Sequence, residues 1–304
     1  MSRSARVLCA VDFSQPAQAA FDHALALSRE RNADLTAVHA IPASEPFNWH
    51  AEERIARAQT LRAAADAAGV RLRFTEQHGD PAGVILLHAN TGRFDLVVLG
   101  THARTARERA RVGSVAERVT QRARCPVLIV PLPGEAHHNR TSFENIVCPI
   151  DFTDVSGRAL RQALQLVEDG GRLTLLHVSS TSTPSQSSHG YNVAVPEYGR
   201  RLHEDVWQRL QDAVPLAART VADVRARVTS GTPAIEIARI ASEIDADLIV
   251  MGVTPRGAIG RALAGSTAAR VIQTAGRPVL AVSGRGLERL HPGPQAGAST
   301  PRAA

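Results

Sequence analysis

Residues 5–12 read Ala-Arg-Val-Leu-Cys-Ala-Val-Asp, and residues 144–151 read Glu-Asn-Ile-Val-Cys-Pro-Ile-Asp. Each is a short apolar run with a cysteine inside it and a carboxylate closing it, so Cys9 answers Cys148 and Asp12 answers Asp151. The correspondence continues outward. Gly79-Asp80-Pro81 is matched by Gly231-Thr232-Pro233, residues 95–100 by 247–252, Gly113-Ser114 by Gly265-Ser266, and residues 124–128 by 276–280. The offset is 139 at the start and 152 later, so the second copy carries a longer internal loop. A repeat of this length is a duplicated domain rather than a solenoid unit.

Each copy alternates short Val/Ile/Leu runs with longer helical patterns. The first copy reads as strands at 6–11, 34–40, 70–76, 96–99 and 127–130. Helices lie between them at 15–31, near 51–68, from Asp80-Pro81 and from Ser114. Asp80-Pro81 is an N-cap acid followed by proline at the first helical position. The second copy reads as strands at 145–150, 172–178, 223–229, 248–251 and 279–282, with helices at 156–168, 197–218, 233–244 and 266–275. Near-continuous apolar strands alternating with helices predict a parallel sheet covered on both faces, with right-handed crossovers. The expected organisation is a first domain over 1–133, a linker over 134–143, a second domain over 144–283 and a disordered tail over 284–304. The apolar last strands, 127–130 and 279–282, carry no charge to protect them as sheet edges, so the copies are expected to pack together through them.

Composition narrows the function. Of 304 residues, 44% are hydrophobic but only 4% aromatic, so two cores must be built from aliphatic side chains. No apolar run reaches the roughly 20 residues of a membrane span, which predicts a cytoplasmic protein without membrane contact. The formal charge is +6, and all 35 basic residues are arginine. The arginines are scattered without aromatic interleaving, which argues against nucleic acid. With no lysine, P-loop and Schiff-base chemistry are excluded. Cys9, Cys125 and Cys148 lack any metal or redox spacing and read as buried core thiols. His137-His138 has no companion ligands and reads as solvated linker.

In an open parallel sheet, ligands bind beyond the carboxyl ends of the strands. Two features fall there in each copy. One is the acid after strand one, Asp12 or Asp151. The other is the glycine ending strand four, Gly100 or Gly252, whose loop runs to Gly113-Ser114 or Gly265-Ser266 and opens a helix. A glycine turn at a helix N-terminus presents free N–H groups to an anion. Plainer roles stand beside these. Ser114 with Glu117 is also a capping box, Asp12 can orient the helix beginning near Ser14, and His39 and His177 read as structural residues. Arg104, Arg107, Arg109 and Arg111 form a charged loop that can be simply solvated.

On Val11-Asp12-Phe13-Ser14, on residues 35–39 and 173–178, and on the loop after strand four, the chain resembles the universal stress protein family in tandem form. Nucleotide-binding members share Gly-x2-Gly-x9-Gly-Ser/Thr across that loop. Both copies keep its spacing and final pair, but Ala103 and Pro255 replace the second glycine. The resemblance implies two Rossmann-like, open-twisted, five-stranded α/β sheets of order 3-2-1-4-5, packed as a pseudo-dimer within the chain. It also implies ATP, with or without Mg²⁺, lying across strands one and four. Asp12 and Asp151 would approach the adenosine, and Ala40 and Val178 would line the adenine slot. Gly100, His102, Ala103, Gly113, Ser114 and Val115 would hold the first copy's nucleotide, and Gly252, Gly265 and Ser266 the second's. Pro255 lacks an N–H and has a fixed φ, so the second copy is expected to bind less well or not at all. The function expected is that of a non-catalytic stress-response protein that binds adenine nucleotide, with a regulatory protein partner or homo-oligomer. The alternatives are an interaction scaffold that binds no nucleotide and a nucleotide-hydrolysing or nucleotidyl-transfer enzyme. No general base, paired carboxylates or metal cluster supports the last.

Overall fold

The computed structural model describes residues 4–44, 50–101, 114–132, 142–179, 195–214, 222–254 and 266–284. In the first half the elements run β1 (Arg6–Ala10), α1 (Gln15–Glu30), β2 (Asp34–Ile41), α2 (Ala51–Ala67), β3 (Leu72–His78), α3 (Pro81–Thr91), β4 (Leu96–Gly100), α4 (Ser114–Arg122) and β5 (Val127–Val130). The second half repeats the series as β6 (Phe143–Pro149), α5 (Asp154–Leu166), β7 (Val167–Ser179), α6 (Val195–Asp212), β8 (Asp223–Ser230), α7 (Pro233–Glu243), β9 (Leu248–Val253), α8 (Ser266–Thr274) and β10 (Val279–Ser283).

Both halves have the strand order 3-2-1-4-5, and they join edge to edge in one ten-stranded sheet, β3-β2-β1-β4-β5-β10-β9-β6-β7-β8. Within each half the strands are parallel; at the junction β5 and β10 are antiparallel, with Val279 opposite Ile129, Leu280 opposite Leu128 and Ala281 opposite Val127. One apolar layer, between the sheet and α1, α2, α5 and α6, takes Phe21, Leu61, Leu128, Leu160, Leu210 and Leu280. The opposite layer, under α3, α4, α7 and α8, takes Ile85, Val119, Ile129, Ile240, Val271 and Val279. Each layer runs across the junction without interruption. Gly79 and Gly231, matched in the repeat, have φ of 144° and 148°. Their turns lead into α3 and α7, and a side chain there would be strained.

Several element boundaries differ from the sequence reading; β3, expected over 70–76, spans Leu72–His78, and the larger differences lie in the second half. The helix expected over 156–168 stops at Leu166, and Val167 opens β7 by pairing with Phe143. Val167 and Phe143 are both buried, so burial against β6 outweighs the propensity that would extend the helix. Gly170, with φ 79°, lets the chain turn afterwards into the main register of β7. Phe143, expected in the linker, is thereby the first residue of β6. The helix expected over 197–218 ends at Asp212. Pro215 lies just beyond, and the residues before a proline are driven out of helical geometry. Residues 133–141, which hold most of the expected linker, 180–194, within the longer loop of the second copy, and 285–304, nearly all of the expected tail, lie outside the described residues, as do His137 and His138.

His23 of α1 is 3% exposed and stacks on Phe143, with ring centroids 6.4 Å apart, so the first half's helix touches the second half's first strand. Its Nε2 finds no partner among the described residues. Burial pushes its pKa down from 6.5 to about 4. All three cysteines are free and buried, and burial raises each thiol above its ordinary value.

Two outcomes are expected. Leu128→Ala, at the strand junction, lowers stability by about 2–5 kcal/mol and leaves a single urea transition followed by fluorescence and circular dichroism. Two separate transitions with one half unaffected would contradict the shared seam. Because the unfolded state takes up the His23 proton first, stability falls as pH drops from 6.5 to 4. The full loss is about 3 kcal/mol, and H23F, which cannot titrate, shows a shallower slope over that window.

Candidate functional site

The chain leaves β1 through a sharp corner. Asp12 Oδ1 accepts hydrogen bonds from the Ser14 N–H at 3.0 Å and from Ser14 Oγ. Ser14 caps α1, its Oγ accepting from the Ala17 N–H. This turn forces Phe13 to φ 59°, which costs a bulky residue about 1–2 kcal/mol. The compensating contacts are visible. Phe13 packs on His39 at 4.7 Å between centroids, and the Arg57 guanidinium lies 5.7 Å over its ring. His39 Nδ1 is 2.8 Å from the Val11 carbonyl, which can only accept, so that nitrogen carries the proton.

The second half builds the same corner. Asp151 accepts from Thr153 N–H at 3.0 Å and Oγ1 at 2.6 Å, Phe152 sits at φ 61°, His177 donates to Ile150 O at 2.8 Å, and Arg209 lies 4.0 Å over Phe152. Burial pushes the Asp151 carboxyl up, but hydrogen bonds from Thr153 and Ser156 outweigh it and hold the pKa below the usual value. The carboxylates therefore have a structural duty in both halves, and both histidines are structural.

Beyond the carboxyl ends of β1, β2 and β4 lies a cleft of about 110 Å³. Its walls are Ala10, Val11, Ala17, Val38, Ala40, Ile85, Leu99 and Ala116, with Asp12, Ser14, Pro81, Gly100 and Val115 completing the lining. This slot is smaller than the dry cavity of about 150 Å³ that holds benzene, so a flat ring would be only partly enclosed by its apolar walls, with the rest of the ligand projecting outward. Asp12 offers acceptors only, which suits hydroxyl or amino donors on such a ligand.

Four residues expected from the sequence, Asp12, Ala40, Gly100 and Val115, thus meet in one cleft, and exposed Ser114 opens the helix that carries Val115. Asp151, Val178 and Gly252 occupy the matching strand ends of the second half, and Ser266 opens α8. His102, Ala103, Gly113, Gly265 and Pro255, with the loop arginines, lie outside the described residues. Pro81, Ile85 and Val38, like the apolar residues Ala10, Ala17, Leu99 and Ala116, were missed. Val38 shares a sheet face with Ala40 two residues on, and Pro81 follows the repeated Gly79-Asp80, so both left a trace in the sequence.

Gly100 has a further reason to be glycine. A Cβ there would stand 2.3 Å from the Pro16 carbonyl oxygen, because the first turn of α1 lies directly on the end of β4. At Gly252 the nearest atoms, of Val155, would be at 2.9 Å. On the opposite lip, Asp80 caps α3 through the Gly83 N–H at 2.9 Å and grips Arg118 of α4 with both oxygens, at 2.8 and 2.7 Å. The Arg118 contact, then the Gly83 N–H, holds the Asp80 carboxyl below its ordinary pKa. Among the described residues no group of three His, Cys, Asp or Glu side chains could hold a metal ion, and no helix is long and apolar enough to cross a membrane.

The model of the universal stress protein family matches residues 4–131 and again 142–283. Universal stress protein G of Escherichia coli O157:H7 is 32% identical over 142 residues, covering 46% of this chain and 99% of its own. A universal stress protein of Methanocaldococcus jannaschii is 31% identical over 141 residues, 42% of this chain and 82% of its own. Among solved structures, a universal stress protein from Archaeoglobus fulgidus aligns over 94% of this chain and 100% of its own, with a TM-score of 0.67 and 21% identity. Another solved universal stress protein, 24% identical over 43% of this chain and 100% of its own with a TM-score of 0.37, is in complex with cAMP.

The two glycines give an unequal pair of mutants. Gly100→Ala drives a methyl into main chain and is expected to destabilise by about 1–3 kcal/mol or more. Gly252→Ala, with more room, costs less. Urea midpoints of the two variants check the order.

Proposed function

Because the chain belongs to the universal stress protein family, we propose that it is a non-catalytic regulatory protein whose first half binds an adenine nucleotide, ATP. The observation that carries this reading is the cleft of Asp12, Ala40, Gly100 and Val115. Its small apolar walls accept the base, and its one carboxylate lies at the rim where a ribose would emerge. The phosphates would then extend toward Ser114 and the N-terminus of α4, where a helix start favours negative charge.

The second half supports an unequal division of labour. By strand pairing, Pro149 and Leu176 stand where the first half has Ala10 and Val38. The repeat also puts Val178 in place of Ala40 and Met251 in place of Leu99. Three of these four replacements enlarge the side chain, and Met251 substitutes a longer one for Leu99. Leu176 is fully buried in the core layer, and Val178 packs against it. These larger side chains narrow the second slot, which favours a scaffolding role for that half, independently of Pro255.

Titration calorimetry of the full chain with ATP is expected to give one site. Ala40→Val, which adds two methyl groups to the slot, should weaken it about tenfold or more without changing the thermal midpoint appreciably. Two equal sites, or an A40V protein that binds like its parent, would overturn this reading.

A further inference from the structure

The Asp80–Arg118 pair joins the two helices that wall one side of the cleft. α3 contributes Pro81 and Ile85, and α4 contributes Val115 and Ala116. At their far ends the same two helices are tied again, where the Arg124 N–H donates to Asn90 Oδ1 at 3.0 Å. Between the two halves this arrangement diverges at the cleft end. Thr232 replaces Asp80 and makes no side-chain cap to α7. Arg270, at the position of Arg118, is exposed and is left without its carboxylate partner.

We infer that Asp80 and Arg118 form a latch that holds the first turns of α4 against α3 and so sets the width of the cleft for its ligand. The inference rests on the nucleotide reading for its ligand, but the latch itself is a property of the apoprotein. Asp80 is fixed first, by capping α3, and so presents both oxygens at a set position. Arg118 answers with a planar fork, the geometry in which an exposed pair carries directional information as well as charge. The side chains are 52% and 43% exposed, so the pair contributes little to global stability. Its effect is local, on where α4 starts. Asp80 and Arg118 are positioning residues, since neither lines the cleft.

The test uses the full chain and two readouts. Asp80→Asn keeps an acceptor for the α3 cap but loses the charged grip; Arg118→Gln removes the fork. Without ligand, each should speed amide exchange over the first turns of α4, by up to about fivefold, with the thermal midpoint nearly unchanged. Each should weaken ATP by a similar factor, and the D80N/R118Q double variant should be no worse than either single, because the pair acts as a unit. Thr232→Asp should build the missing latch with Arg270 and slow exchange at the start of α8. Unchanged exchange in D80N and R118Q overturns the latch. Weaker ATP binding in R118Q alone also overturns it, because Arg118 would then touch the ligand directly. Faster exchange with unaltered ATP affinity overturns its role in setting the cleft. If the parent protein binds no ATP, the nucleotide reading fails, and exchange alone decides the latch.

Discussion

The antiparallel pairing of β5 with β10 is the contact on which the rest of the molecule depends. Val127–Val130 and Val279–Ser283 contain no charged residue. Each would be the terminal strand of a parallel sheet, with bare N–H and C=O groups that invite association. Joined to each other, they close both edges at once. The apolar layers on either face then pass through the joint, with Leu128 and Leu280 in one and Ile129 and Val279 in the other. A buried hydrogen bond from Ser283 Oγ to the Ala123 carbonyl, 2.9 Å long, fastens the margin. The outer edges that remain, β3 and β8, carry Arg73, Glu76, Arg225 and Arg227, the kind of charge that discourages pairing.

Given that shared frame, the halves differ in an ordered way. What shapes the backbone has been kept twice. The carboxylate-directed corner, the aromatic residue at positive φ, the histidine bound to a carbonyl and the arginine over the ring all recur. The lining of the cleft has been kept only in part: Asp12, Pro81, Ile85, Gly100 and Ala116 recur as Asp151, Pro233, Ile237, Gly252 and Ala268, but other positions differ. Ala10, Val38 and Ala40 became Pro149, Leu176 and Val178, and Asp80 became Thr232. Strain at Phe13 and Phe152 belongs with the first set, since it sustains the turn that starts α1 and α5 whether or not a ligand is near.

Much of the fold was legible because its signals are local. The strand runs, the Asp80-Pro81 helix start and the internal repeat need no tertiary information. The β5–β10 contact followed from two unprotected apolar strands. The larger misread boundaries are those decided by distant partners or by an overlooked proline. Val167 turns to strand because Phe143 is there to pair with it, and the helix of the second copy yields before Pro215. At the site, Asp12 and Gly100 were found from their place after strand ends, and Ala40 and Val115 came through the family resemblance, whereas Ile85 and Ala17 were not found, because only helix packing brings them to the cleft. Gly100 was read for its loop, while its tightest constraint is the carbonyl of Pro16, a contact between elements that are far apart in sequence.

The direction of the joint gives the molecule a polarity. Because β10 runs against β5, every strand of the second half points opposite to every strand of the first. The corner at Asp12 and the corner at Asp151 therefore open at opposite margins of one sheet. An assembly of two identical chains through this seam would have two equivalent ends. Here the described residues of the two ends differ, one bearing a lined cleft and the Asp80–Arg118 ion pair, the other bulkier side chains and an exposed Arg270. Among the described residues the two margins thus present different side chains, and the molecule's two ends are not interchangeable as those of a symmetric dimer would be.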